Sequence, residues 1–411
     1  MGGTVHQRSV VRVGASLLVA SLALTACGSR GEDDAGGGTS DKKVAKIGVI
    51  APLSGDLSAL GLGIQHSVEL AAKQANDSNA IEGWTIEVAP KDDEAKPDVG
   101  KNAATALAAD KDVVGVVGTL NSSVSQSVQP VLSSAKITQV SPANTNPALT
   151  QGANWKTGPA RTYPGYFRTC TTDAIQGPFG ARYLFEKAGI KKVATIHDKK
   201  AYGQGLVETF TEEFKAAGGQ VVSAQTINPD DANYQAVISK VKPSAPEAVY
   251  YGGEYPQAGP LSQQMKAAGL NVPLMGGDGI FDPKYIELGG KTSTNDLATS
   301  VGAPTDTLET AKKFVADYNA AGYKDPYAAY GAYSFDAANA IIAALKESLK
   351  DADSAESARQ ATIDAMSKVQ FDGVTGKVAF DQYGDTTSKV LTVYKVTGGK
   401  WAPVQTEDFA K

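Results

Sequence analysis

Three histidines, two cysteines and several Ser, Thr, Asn and Asp residues in short loops are the groups of this 411-residue chain whose types could do chemistry. Catalysis is the first chemistry to test. Neither His66 nor His197 has the HExxH spacing of a zinc peptidase, and no GxSxG elbow presents a serine nucleophile. Gly289-Gly290-Lys291-Thr292 is half of a phosphate-binding loop, with Tyr285 where its first glycine belongs. Gly61-Leu62-Gly63 is followed by His66 where a dinucleotide fingerprint needs a third glycine, and both stretches read as solvent-exposed turns. No Cys/His cluster has transition-metal spacing. The chain is expected to be no enzyme and to carry no metal or cofactor.

Recognition of a small ion suits the polar loops better. Gly118-Thr119-Leu120-Asn121-Ser122-Ser123 joins a strand to a helix predicted to begin near Ser122. Free amides at a helix start, with serine hydroxyls beside them, suit an anion such as a carboxylate. Ser141-Pro142-Ala143-Asn144-Thr145-Asn146-Pro147 follows the next strand and offers carbonyls and a hydroxyl. Asp278 in Gly276-Gly277-Asp278-Gly279 adds a carboxylate. Taken singly, Ser122 and Thr145 read first as helix caps, and Asp278 as a turn residue.

The elements that must position these loops follow from patterning. Strands are predicted at Ala45–Ile50, Thr85–Ala89, Val113–Val117, Ile137–Val140, Val193–His197, Val221–Gln225, Ala248–Tyr251 and Leu297–Val301. Helical spacing lies between them, as in Ile64, Val68, Ala71, Ala72 and Ala75, or Val124, Val128, Val131 and Leu132. Strand-then-helix alternation implies parallel sheets covered on both faces, and it occurs twice, over about 44–165 and 175–300. Two doubly wound α/β lobes are expected. Lys377–Phe380 and Val390–Val396 read as late strands that spacing alone assigns to neither lobe. In such sheets ligands bind beyond the carboxyl ends of the strands, where the polar loops lie.

The N-terminus has the layout of a cleaved secretory signal: Arg8 and Arg12, then an apolar run from Val13 to Leu24, then small residues before Cys27. Leu24-Thr25-Ala26-Cys27 resembles the lipobox of bacterial lipoproteins, which implies lipidation of Cys27 and an extracytoplasmic protein tethered to the outer face of a cell membrane. Residues 1–26 are thus read as signal and 27–43, Gly-rich and charged, as a flexible stalk. The formal charge of −5, more negative once the leader leaves, argues against nucleic acid as a partner. With Cys27 lipidated, Cys170 has no partner within one chain and reads as a buried, inert thiol.

From Ile47 to Asp385 the chain resembles the leucine/isoleucine/valine-binding protein family, the type I solute receptors of ABC importers. The ordered landmarks are Ala51-Pro52-Leu53-Ser54-Gly55, Val140 to Thr145, Gln176-Gly177-Pro178, His197 to Gly205, Val249 to Gly253 and Lys266 to Leu270. The resemblance implies two lobes joined by three hinge crossings near Arg168–Thr171, Val301–Ala303 and Thr386–Ser388. Lobe 1 is then 44–168 with 302–387, and lobe 2 is 169–301 with 388–411. It implies a ligand α-carboxylate held by Ser122 and Thr145, and an ammonium held by the Ala143 carbonyl, Thr145 and Asp278. Leu60, Leu120, Asn121, Tyr202 and Glu254 would line the side chain. The family's cysteine pair is replaced by Ala95 and Asn121.

The function so implied is capture of a free amino acid, branched-chain first, by a monomer that delivers it to ABC permease subunits. Glu254, where a pocket tyrosine is usual, leaves two readings open. It faces solvent at the cleft rim while Tyr255 fills the space, which keeps an aliphatic ligand ahead, or it pairs with a polar or cationic ligand side chain together with Asn121. Which of Tyr327 to Tyr330 lines the pocket is likewise open. A ligand-binding module of a sensory receptor is the competing function; no membrane helix or signalling segment is read after Lys411, which favours a transport receptor.

Overall fold

The structure, a computed structural model, describes residues 42–409; the signal and lipidation readings, with Cys27, lie outside them. Two sheets organise the chain. The first has order β2-β1-β3-β4-β5, built from β1 Lys43–Ala51, β2 Trp84–Asp92, β3 Val113–Gly118, β4 Thr138–Ser141 and β5 Tyr166–Arg168, all parallel. The second comprises β6 Lys192–His197, β7 Gln220–Thr226, β8 Ala248–Gly252, β9 Leu274–Gly276 and β10 Leu297–Ser300 in the equivalent parallel order β7-β6-β8-β9-β10. A small antiparallel pair, β11 Gln370–Gly373 and β12 Gly376–Ala379, stands apart from both. The hairpin β13 Val390–Thr397 and β14 Lys400–Asp408 then extends the second sheet antiparallel beside β10.

Strand composition explains the layering. β3 reads Val-Val-Gly-Val-Val-Gly and is buried along its whole length, as a central parallel strand covered on both faces must be. The helix Ser58–Asp77 buries Leu60, Ile64, Val68, Ala71, Ala72 and Ala75, one stripe at helical spacing. The helix Gly331–Ser348 is buried almost all round because it is sandwiched between the first helix, β3 and β4, and the helix Ala355–Met366. That last helix starts at a capping box made by Ser354 and Ser357.

Gly61 and Gly63 are not in an exposed turn. They sit inside the first helix, buried, where a Cβ on Gly61 would lie 1.9 Å from the Pro52 carbonyl oxygen and one on Gly63 would lie 2.5 Å from that of Tyr327. Close backbone approach, rather than turn geometry, demands glycine at both.

The chain passes between the sheets after β5, after β10 and again between β12 and β13. A buried ion pair ties two of these passages: Arg168 Nε lies 2.6 Å from Asp385 Oδ1, and the Arg168 amide donates to the Gly384 carbonyl at 3.0 Å. The rest of the guanidinium donates to the Asn144 and Asn146 carbonyls and to Thr150 Oγ1. Burial alone would lower the Arg168 pKa, but Asp385, with Tyr166 and Cys170 adding to it, raises the pKa on balance.

Candidate functional site

Both sheets have a topological switch point where connections depart in opposite directions, between β1 and β3 in the first and between β6 and β8 in the second. The loops leaving those strand ends face each other across one cavity with about 290 Å³ of empty space. Its walls bring together Leu60, Leu120, Asn121, Ser122, Ala143, Tyr202, Glu254 and Asp278 from the sequence-derived set, and add Gly279 and Tyr330.

The first wall is the start of the helix Ser122–Ser134. Asn121 precedes it in an extended conformation with no side-chain cap, and its carbonyl accepts from the Val124 and Ser125 amides. The Ser122 and Ser123 amides are among the leading N–H groups that a helix cannot satisfy internally, and the helix dipole adds positive character there. Ala143, in the loop after β4, lines the adjoining wall.

Opposite stands Asp278, buried at the start of the turn Asp278–Ile280 after β9. Its Oδ1 accepts from Gln176 Nε2 at 2.9 Å and from Tyr202 Oη at 2.8 Å; its Oδ2 accepts from Tyr330 Oη at 2.8 Å. All three partners are neutral. Burial raises the Asp278 pKa, and the three donors oppose that shift without removing it. Gln176 also donates to Asp173 Oδ1 at 3.0 Å, while its Oε1 accepts from the Asp278 amide and from Thr299 Oγ1. Asp173 is pushed up to about 8, by burial first and by the neighbouring Asp278 charge second. Two buried carboxylates thus share one amide, a site poised to receive positive charge.

Thr145 is not part of the cavity wall. The Asp173 amide donates to its carbonyl at 2.8 Å, holding that loop to the start of the helix Asp173–Arg182, and its hydroxyl is buried beside the Asp173 carboxyl. Tyr202 lines the cavity, but its hydroxyl serves Asp278 and the Gly279 amide. Among the tyrosines 327 and 330, Tyr330 faces the cavity and Tyr327 instead bonds Asp306.

Glu254 does not face solvent at the rim. It is 4% exposed and lines the cavity, with Oε1 accepting from Asn121 Nδ2 at 2.7 Å and Oε2 from Lys200 Nζ at 3.0 Å. These two donors pull the carboxylate inward. Tyr255 points elsewhere, donating to the Asp56 carbonyl. Burial disfavours the Lys200 charge, yet Glu254 and Asp198 outweigh it and raise the pKa; Asp198 is raised to about 8, by burial and then by Glu254.

Several of these bonds run between the loops of the two sheets: Asn121 to Glu254, Tyr330 to Asp278, and Asn146 Nδ2 to the Ala201 carbonyl at 2.8 Å. Lys156 adds ion pairs to Glu208 at 2.7 Å and Glu212 at 2.6 Å. The two lobes are closed on the cavity. Tyr330 resolves the choice left open among Tyr327 to Tyr330, whereas Gln176, Asp173 and Lys200 were not singled out from sequence as site residues. Gln176 and Lys200 stand within landmark segments, so a signal existed, whereas Asp173 had none.

Comparison with known proteins agrees with this architecture. Residues 44–400 match the periplasmic binding protein family. Leu/Ile/Val-binding protein homolog 3 of Brucella melitensis is 30% identical over 359 residues, covering 86% of this chain and 92% of that protein. The branched-chain amino acid transporter substrate-binding protein LivJ of Streptococcus pneumoniae, solved in complex with isoleucine, superposes with a TM-score of 0.78 at 26% identity, over 89% of this chain and all of that one. A solute-binding protein of an ABC transporter from R. palustris, solved with benzoate, shares the fold with a TM-score of 0.76 at 23% identity, over 88% of this chain and 96% of that one. The chain belongs to the periplasmic binding protein family.

Proposed function

We propose that this protein captures a free α-amino acid outside the cytoplasm by closure of its two lobes and delivers it to the permease of an ABC importer. The observation that carries this reading is the pairing of opposite electrostatic demands across one cavity. Asp278 offers a buried carboxylate whose protein partners are all neutral, and the Ser122 helix start offers unsatisfied amides. A zwitterion meets both: its ammonium binds Asp278 and the Ala143 carbonyl, and its carboxylate binds the Ser122 hydroxyl and the helix-start amides. Thr145 lies behind this wall, its buried hydroxyl without a hydrogen-bond partner among the described residues. An aromatic acid such as benzoate supplies the carboxylate and leaves Asp278 without a cation, so it suits this cavity less well.

The lobes divide at the three chain passages, with 44–168 and 302–387 in one and 169–301 and 388–411 in the other. Cys27 carries the lipid tether, and the protein works as a monomer. The names of the relatives support a branched-chain ligand. The buried Asn121–Glu254 pair favours a second reading of side-chain selectivity within the same transport role. A calorimetric screen of the twenty amino acids against protein freed of bound ligand tests the proposal; it expects at least one to bind, and none binding would overturn it.

A further inference from the structure

We propose that the cavity selects an amino acid whose side chain ends in an N–H donor (carboxamide, ammonium or guanidinium) read by Glu254 and by the Asn121 carbonyl oxygen. This rests on the amino-acid reading above. Both residues line the cavity and are buried, Glu254 at 4% and Asn121 at 5% exposure. Asn121 spends an amide N–H on Glu254, and its own Oδ1 is buried with no hydrogen-bond partner among the described residues. Each Glu254 oxygen has one protein donor and retains capacity for another.

A leucine side chain set against this pair would leave the unmatched Asn121 Oδ1 and the spare acceptor capacity of the Lys200-paired Glu254 against hydrocarbon while supplying no donor. A side-chain nitrogen supplies donors to both oxygens at once. Sites built to bond an N–H reject analogues lacking it far more strongly than apolar pockets reject a missing methylene.

Glu254 also lines, with Lys200, a second and wider outer chamber of about 1480 Å³, open solvent included. Its lining carries Asp56, Glu94, Asp230 and Asp231 against Lys96 and Lys200, and these lysines are engaged by Glu94 at 2.8 Å and Glu254 at 3.0 Å. An acidic mouth raises the local concentration of cationic solutes.

The test is calorimetry on the full chain, freed of bound ligand, with glutamine, arginine, lysine, the three branched-chain amino acids and alanine. Alanine shares the backbone groups and lacks a side-chain nitrogen. At least one of glutamine, arginine and lysine is expected to bind tenfold or more tighter than any branched-chain amino acid; glutamine alone would assign the carboxamide, arginine or lysine the cation. In Glu254→Gln the affinity of that ligand relative to alanine should fall by about 30-fold or more. Asn121→Leu should lower the same ratio and serves where loss of the Lys200 partner prevents folding. A branched-chain amino acid binding as tightly as the best nitrogen-bearing one overturns the inference and leaves the amino-acid reading standing, as does a ratio unchanged in both variants. Binding of no amino acid overturns both.

Discussion

Replacing Asp278 by asparagine keeps the volume of the side chain and removes its charge, so it isolates what the carboxylate does for a ligand ammonium. In the protein the two oxygens accept three neutral hydrogen bonds, from Gln176, Tyr202 and Tyr330, and the ammonium would be their only cationic partner. Removing one member of such a buried, hydrogen-bonded charge pair costs about 2–5 kcal/mol, or roughly 30-fold to several-thousand-fold in affinity. Alanine is the ligand to use, because it reports on the backbone anchor with little from the side-chain pocket. Titration calorimetry at constant pH reads the loss. Burial already disfavours the Asp278 charge, so the ligand-free variant should keep its cooperative melting transition, which separates lost binding from lost folding. A change below about threefold would show that the ammonium is held elsewhere and would refute the reasoning.

Ligand binding should be linked to protons. Asp173 is pushed up to about 8, by burial first and by the Asp278 charge second, so it holds a proton at neutral pH that an ammonium arriving beside it displaces. Affinity should rise from about pH 6 to about pH 8, and the heat of binding should vary with the ionisation enthalpy of the buffer; equal heats in two buffers would contradict this. Asp385→Ala leaves Arg168 charged and buried between two chain passages and should destabilise by about 3–5 kcal/mol in denaturant unfolding, against no loss if the pair is dispensable. Cys27→Ser should release the protein from the membrane, and labelled fatty acid should appear on the wild type alone.

The strand-end loops were legible because parallel strands announce themselves as short apolar runs, and small polar residues after them have few other uses. Val113–Gly118 followed by Asn121 and Ser122 is the clearest case. Short or exposed strands were not legible. β9, Leu274–Gly276, is three residues long, too short to show a period, and β14 lies on the sheet edge with Pro403 inside it and a polar end from Gln405 to Asp408. The direction of Glu254 was set by Asn121 and Lys200, distant in sequence, which no local pattern reports. Tyr327 and Tyr330 lie three residues apart in the turn before the helix Gly331–Ser348, where Ala328 has φ 53°, and one is sent to Asp306 and the other to Asp278. Gly61 and Gly63 were misread because a glycine inside a helix resembles one in a turn until the backbone pressed against it is known.

The central claim is that the cavity recognises a zwitterion through Asp278 on one side and the Ser122 helix start on the other. Comparing the best-bound amino acid with the same molecule lacking its α-amino group tests it most directly, by calorimetry on the wild-type protein. The account predicts that the des-amino acid binds at least about 30-fold more weakly, since Asp278 is then left buried without its cation. Equal affinity of the two would contradict it.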